Sequence, residues 1–265
     1  SDPDGETLTP SYEWMVGSNI LGNTDTLMLT NATVQPGDVV SCTAVVNDNY
    51  GASATDTTSV TIENTDPTID SITVSPSSPA KSDTITCAAT TSDIDGGTPT
   101  LTFSFTNQST GATLTNTTTG TNDATLDLSG TSTLPDDVIE CSVTATDANS
   151  GQATAAATVT VINTAPTFSV AATINPSTAV YTGTVLTCSA TANDIDDGTI
   201  TPIFEWTASN STVASGATYT VSAADTNVGD TITCSATATD SDGESTTTST
   251  SVTVENTDPV LSTVT

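Results

Sequence analysis

Thr184-Val185-Leu186-Thr187-Cys188, Phe204-Glu205-Trp206 and Gly229-Asp230-Thr231-Ile232-Thr233-Cys234, taken in that order, decide the architecture of this chain. Each is a short run in which apolar and polar residues alternate, the period of a strand with one buried face. The same three stations recur upstream as Asp83–Cys87, Phe103-Ser104-Phe105 and Asp136–Cys141. A third copy is partial: Tyr12-Glu13-Trp14 and Gly37–Cys42 are present, and no cysteine precedes them.

Working outward, the units are joined by three versions of one linker: Glu63-Asn64-Thr65-Asp66-Pro67, Ile162-Asn163-Thr164-Ala165-Pro166 and Glu255-Asn256-Thr257-Asp258-Pro259. Their asparagines stand 99 and 93 residues apart, about the length of one small β-sandwich. The expected organisation is a partial domain at 1–63, domains at 64–162 and 163–255, and a linker with the first strand of a next domain at 256–265. Thr and Val, which favour strands, dominate the periodic segments. The fold class is therefore all-β, a tandem array of antiparallel sandwiches.

Composition narrows the function by exclusion. The formal net charge is −30, Lys81 is the only cationic side chain, and there is no His or Arg. Such a surface repels phosphate backbones and anionic headgroups, so neither nucleic acid nor a membrane surface is an expected partner. Triads built on His cannot form, and paired carboxylates are the one catalytic option left. Those carboxylates sit in small turn loops, so no enzyme activity is expected. Five cysteines, Cys42, Cys87, Cys141, Cys188 and Cys234, stand without a CxxC pair or a His, which argues against zinc and for disulfides in an oxidising compartment. No apolar run is long enough to span a bilayer and no signal peptide opens the chain, so a targeting signal, if there is one, is expected outside these residues.

With about seven strands per unit and a Cys…Trp…Cys order, the unit resembles the immunoglobulin-like fold, in the form found in tandem repeats of large microbial surface adhesins and fibres. The resemblance implies pairing of Cys188 with Cys234 beneath Trp206, and of Cys87 with Cys141 beneath Phe105. It implies a partner for Cys42 outside this chain, or else a bridge between chains. The family's tyrosine corner is absent, since Val40, Ile139 and Ile232 stand at its place. Each bridge closes a loop of about fifty residues, worth roughly 3–4 kcal/mol by chain entropy, which matters in cores with so few large side chains.

The resemblance also brings three acidic segments to each junction: the linker and the two loops at the end where the chain enters. For the second domain these are Glu63, Asn64 and Asp66, then Asp93 and Asp95, then Asp147 and Asn149. For the third they are Asn163, then Asp194, Asp196 and Asp197, then Asp240 and Asp242. In the partial domain Asp2, Asp4 and Asp48 hold the corresponding places. Clustered carboxylates without cationic partners repel one another, and sets of hard oxygen ligands suit Ca²⁺. Glu-Asn-Thr-Asp-Pro also resembles the acidic linkers of cadherins. Against this, Asp-x-Asp-Gly is a good turn sequence in its own right, and an acidic surface also serves solubility in high salt.

Sequons stand at Asn31, Asn107, Asn116 and Asn210. An isopeptide role for Lys81 is less expected than a plain exposed side chain. The expected function is an extracellular or cell-surface spacer, stalk or fibre segment whose partners are neighbouring repeats and, in a fibre, other copies. The alternative is an adhesive module for carbohydrate or protein, with Tyr50, Tyr181 and Tyr219 as its candidate aromatics.

Overall fold

The computed structural model describes residues 3, 5–118, 122–259 and 261, with the backbone alone at 115–118. Asp2, Asp4 and the tail beyond Pro259, apart from Leu261, lie outside the described residues. By contacts the chain divides into two compact units. The first comprises Ser1–Ser77, Ile85–Leu126 and Val138–Val159, and the second Ser78–Thr84, Asp127–Asp137 and Thr160–Thr265.

The first unit opens with a four-stranded sheet ordered β2-β1-β3-β4, built from β1 (Ser11–Val16), β2 (Asn19–Gly22), β3 (Val39–Asn47) and β4 (Ser53–Thr61). The next sheet, ordered β5-β6-β9, uses β5 (Thr68–Ser75), β6 (Thr84–Ser92) and β9 (Asp123–Asp127). It is joined by Cys87–Cys141 to a sheet ordered β11-β10-β7-β8, from β7 (Thr100–Asn107), β8 (Ala112–Thr118), β10 (Val138–Thr146) and β11 (Gln152–Thr160). Ile139, Cys141, Val143 and Ala145 alternate inward along β10 and are fully buried, opposite the equally buried Phe103 and Phe105 of β7. Side chains that point to one face every second residue are what the Thr/Val alternation specifies.

The second unit repeats the design. A sheet of β12 (Thr167–Asn175), β13 (Val185–Asp194), β14 (Gly198–Ile200) and β17 (Thr218–Thr220) is joined by Cys188–Cys234 to a sheet ordered β16-β15-β18-β19. Those strands are β15 (Ile203–Ala208), β16 (Ser211–Ser215), β18 (Thr231–Thr239) and β19 (Ser245–Thr253). Trp206 lies directly across from Cys234, is wholly buried, and belongs to the same core cluster as both cysteines. Its indole N–H donates to the Gly216 carbonyl at 2.9 Å. Both expected disulfides are thus formed.

Three findings correct or complete the sequence reading. Tyr219 is no surface aromatic: it is 5% exposed, and its ring lies 5.8 Å from that of Trp206. Asn107 is 1% exposed, its Oδ1 accepting from the N–H groups of Ser109 and Thr110, so a glycan cannot reach it in the folded chain. Asn31 and Asn210 are exposed, and the side chain of Asn116 is outside the described residues. Cys42 is a free, half-buried thiol.

Candidate functional site: the acidic linker junctions

The loops that follow β3, β10 and β18 are one turn repeated three times. Asp48, Asp147 and Asp240 each accept, through Oδ1, from the N–H four residues on, at 2.7, 2.7 and 2.8 Å. Each also donates its own N–H to the carbonyl of that residue, Ala52, Gly151 or Glu244, at 2.9, 3.0 and 3.0 Å. A carboxylate that satisfies loop N–H groups in this way explains why Asp stands there in every repeat.

The linkers dock on these turns by one pattern. Asn64 Nδ2 donates to Asp147 Oδ2 at 2.9 Å, and Asn163 Nδ2 to Asp240 Oδ2 at the same distance. One residue on, the N–H of Thr65 donates to Asp95 Oδ2 at 2.6 Å and that of Thr164 to Asp196 Oδ2 at 3.1 Å. Within each of these acidic loops the first Asp accepts from the backbone of the third residue, Asp93 from Asp95 and Asp194 from Asp196. These bonds hold the carboxyls of Asp147 and Asp240 below the usual carboxylate range, the amide of Asn64 or Asn163 being the largest cause.

The two junctions differ in how they use their oxygens. In the first unit Gln35, Asn64, Asp93, Asp95, Asp147 and Asn149 line a small polar niche of about 50 Å³. Asp66 is exposed, and its Oδ1 lies against the bare Cα face of Gly151 beside Asp147 Oδ2, while Glu63 is exposed. In the second unit Asp194 and Asp240 are each 7% exposed. Asp197 accepts from both the N–H and the hydroxyl of Ser241, at 2.7 and 2.9 Å. Three buried oxygens there, Asn163 Oδ1, Asp194 Oδ2 and Asp196 Oδ1, have no hydrogen-bond partner. The Asn163 amide is fixed by chemistry: its NH₂ faces a carboxylate, which can only accept, so its orphan is the carbonyl oxygen.

Asp136, which the sequence reading did not count among the junction acids, acts on Asp242 through its charge. The carboxyl of Asp242 is pushed up by desolvation and by the charges of Asp240, Asp197, Asp136 and Asp196. Asp136 belongs to the turn before β10, where its N–H donates to the Val161 carbonyl. Gly37 and Gly229 make the same bond to Ile62 and Val254. The signal was there in sequence, as Asp136-Asp137 standing where the other repeats have Gly-Asp.

Among the described residues, no group of three or more His, Cys, Asp or Glu side chains is arranged as a ready-made metal cage. The orphaned set is of another kind, two carboxylates and an amide carbonyl. These oxygens fit a hard cation, since no hydrogen-bond donor meets them and two of the three belong to carboxylates. Asp48 keeps its turn bonds, while its counterparts Asp2 and Asp4 lie outside the described residues.

No protein-family model matches the chain, and no curated protein matches it in sequence. Several solved structures are similar in fold. A chain solved in work on the host cell surface retention of a 1.5-MDa bacterial ice-binding adhesin aligns at 18% identity over 95% of this chain and 87% of that chain, with a TM-score of 0.32. The tetra-tandem repeat from the extending region of a large adhesion protein aligns at 17% over 94% and 67%, with a TM-score of 0.35. Drosophila N-cadherin EC1-4 aligns at 16% over 95% and 67%, with a TM-score of 0.36. These are likenesses of fold, and the function rests on the chain's own residues. Fold and site together define the class: tandem immunoglobulin-like β-sandwiches with acidic, hydrogen-bonded linkers.

Proposed function

We propose that this chain is a spacer segment of a secreted or cell-surface protein, its sandwiches stapled by disulfides and its linker junctions holding Ca²⁺. The observation that carries the reading is the repeated docking of Asn and Thr from each linker onto the Asp turns of the sandwich that follows. A linker tied down at two successive residues does not behave as a free tether, and a repeated clamp of that kind favours extension over capture. Asn64, Asp93, Asp95 and Asp147 would hold the ion at one junction, and Asn163, Asp194 and Asp196 at the other. Bound there, a divalent cation neutralises carboxylates that otherwise repel. Neither task involves a reaction; the carboxylates serve turns and linkers, and we read the chain as non-catalytic. Small-angle scattering of the chain with and without Ca²⁺ tests this. A rigid extended particle with Ca²⁺ and a flexible one after chelation is the expected pair; a compact particle in both would overturn the spacer.

A second reading, an adhesive module, is favoured by one feature. An open cleft of about 720 Å³ in the second unit is lined by Pro202, Ile203, Phe204 and Glu205, and Ile203 is 72% exposed. That volume suits a small ligand or one sugar-sized group. Binding to a glycan array that is abolished by Phe204→Ala would establish it.

A further inference from the structure

The two junctions share their clamp and differ in what it leaves over. In the first unit the carboxylate oxygens are half-buried or exposed, and no described buried side-chain oxygen there is orphaned. In the second, Asp194 is more than nine-tenths buried with Oδ2 unpartnered, and Asn163 Oδ1 and Asp196 Oδ1 are orphaned beside it in the chain of bonds that joins linker to loop. All three orphans are acceptors, so they call for a group that offers positive charge. Leaving buried acceptors unmet is costly, and a set of three survives in a fold when a ligand meets them.

A second observation points the same way. The turn before each of β3, β10 and β18 needs a left-handed residue, supplied by Gly37 at φ 90° and Gly229 at φ 89°. The middle repeat places Asp136 there at φ 66°. A side chain in that conformation costs backbone energy that glycine does not. What the substitution adds is one more carboxylate whose negative charge is felt at Asp242. The corresponding turn at the first junction has Gly37 and offers none.

We infer that the junction around Asn163, Asp194 and Asp196 is the tighter of two divalent-cation sites and fills before the one around Asn64, Asp93 and Asp147. This rests on the junction-cation reading above and adds the order of filling. Buried oxygens that no hydrogen bond has spent raise affinity for a hard cation. The carboxylates of the first junction are nearer to water, and their described buried oxygens are already spent on hydrogen bonds.

Calorimetric titration of the whole chain with Ca²⁺ alone tests the order. The wild type is expected to show two classes of binding. Asp194→Asn removes the tighter class and Asp147→Asn the weaker. Asp136→Gly leaves the weaker class untouched and lowers the tighter affinity about tenfold, the effect usual for a group that supports a metal site. Its calcium-free melting point rises, because the strain is relieved. Asn163→Ala, outside any strand, guards against misfolding of the Asp194 variant and also lowers the tighter affinity. A single class in the wild type, or a tighter class that survives Asp194→Asn and disappears with Asp147→Asn, overturns the order. No calcium uptake by the wild type overturns the underlying cation reading, and this inference with it.

Discussion

Gly151 shows how finely the linker contact is set by one residue. A Cβ there would lie 2.5 Å from Asp147 Oδ2, 2.6 Å from Asp66 Oδ1 and 2.7 Å from Asn64 Nδ2. Its φ is not left-handed, so space alone demands glycine. Gly151→Ala is expected to break the Asn64–Asp147 bond and to cost about 1 kcal/mol in denaturant unfolding, the usual worth of such a bond. Gly130, with nothing within 4 Å, is the control and its alanine variant should be near neutral. Tyr219 offers a residue-scale test of the core. Burial raises its phenol above the ordinary range, with the charge of Asp225, 3.2 Å from the hydroxyl, adding to the effect. A raised acid means that the unfolded chain loses this proton first. Stability is therefore full below about pH 10 and falls as pH rises beyond it. Tyr219→Phe should flatten that alkaline limb in melting curves taken between neutral and alkaline pH.

Among the elements, β3 is the informative strand. Cys42 faces Trp14 in the register that places Cys141 opposite Phe105 and Cys234 opposite Trp206. The indole of Trp14 donates to the Thr24 carbonyl at 2.8 Å, as Trp206 does to Gly216. Yet Cys42, Ala44 and Val46 are half-buried where Cys234, Ala236 and Ala238 are buried, because among the described residues no second sheet carries a bridging cysteine to this one. Alkylation of the native chain should modify one thiol, at Cys42, and denaturation without reductant should expose no more. Two or three modified thiols would show that the assigned bridges are incomplete.

At the scale of the molecule, 31 carboxylates against one cation set a general repulsion that any salt screens. Junction calcium is a separate, site-specific effect. Melting followed in a fixed high concentration of NaCl should still rise on adding millimolar Ca²⁺ and fall again with chelator. If NaCl alone gives the full gain, the acidic surface works only as a solubility device.

Much of this protein follows from sequence alone. Alternation of Thr and Val with buried residues fixes the strands, since a strand's faces repeat every two residues regardless of partners. The spacing of the linkers marks the repeats, and the Cys…Trp…Cys order matches the bridges formed. The acidic residues at each linker were also legible, because turn chemistry writes Asp into short motifs. Only the tertiary structure decided which oxygens are spent and which are left over. Asp93 and Asp194 read alike in sequence, and burial separates them. Asp136 is far along the chain from Asp242, at which its charge is felt, Tyr219 is turned inward by its pairing with β13, and Asn107 is consumed by its own turn. Each of these depends on which strands close against each other, and that is a property of the folded chain that no local pattern records.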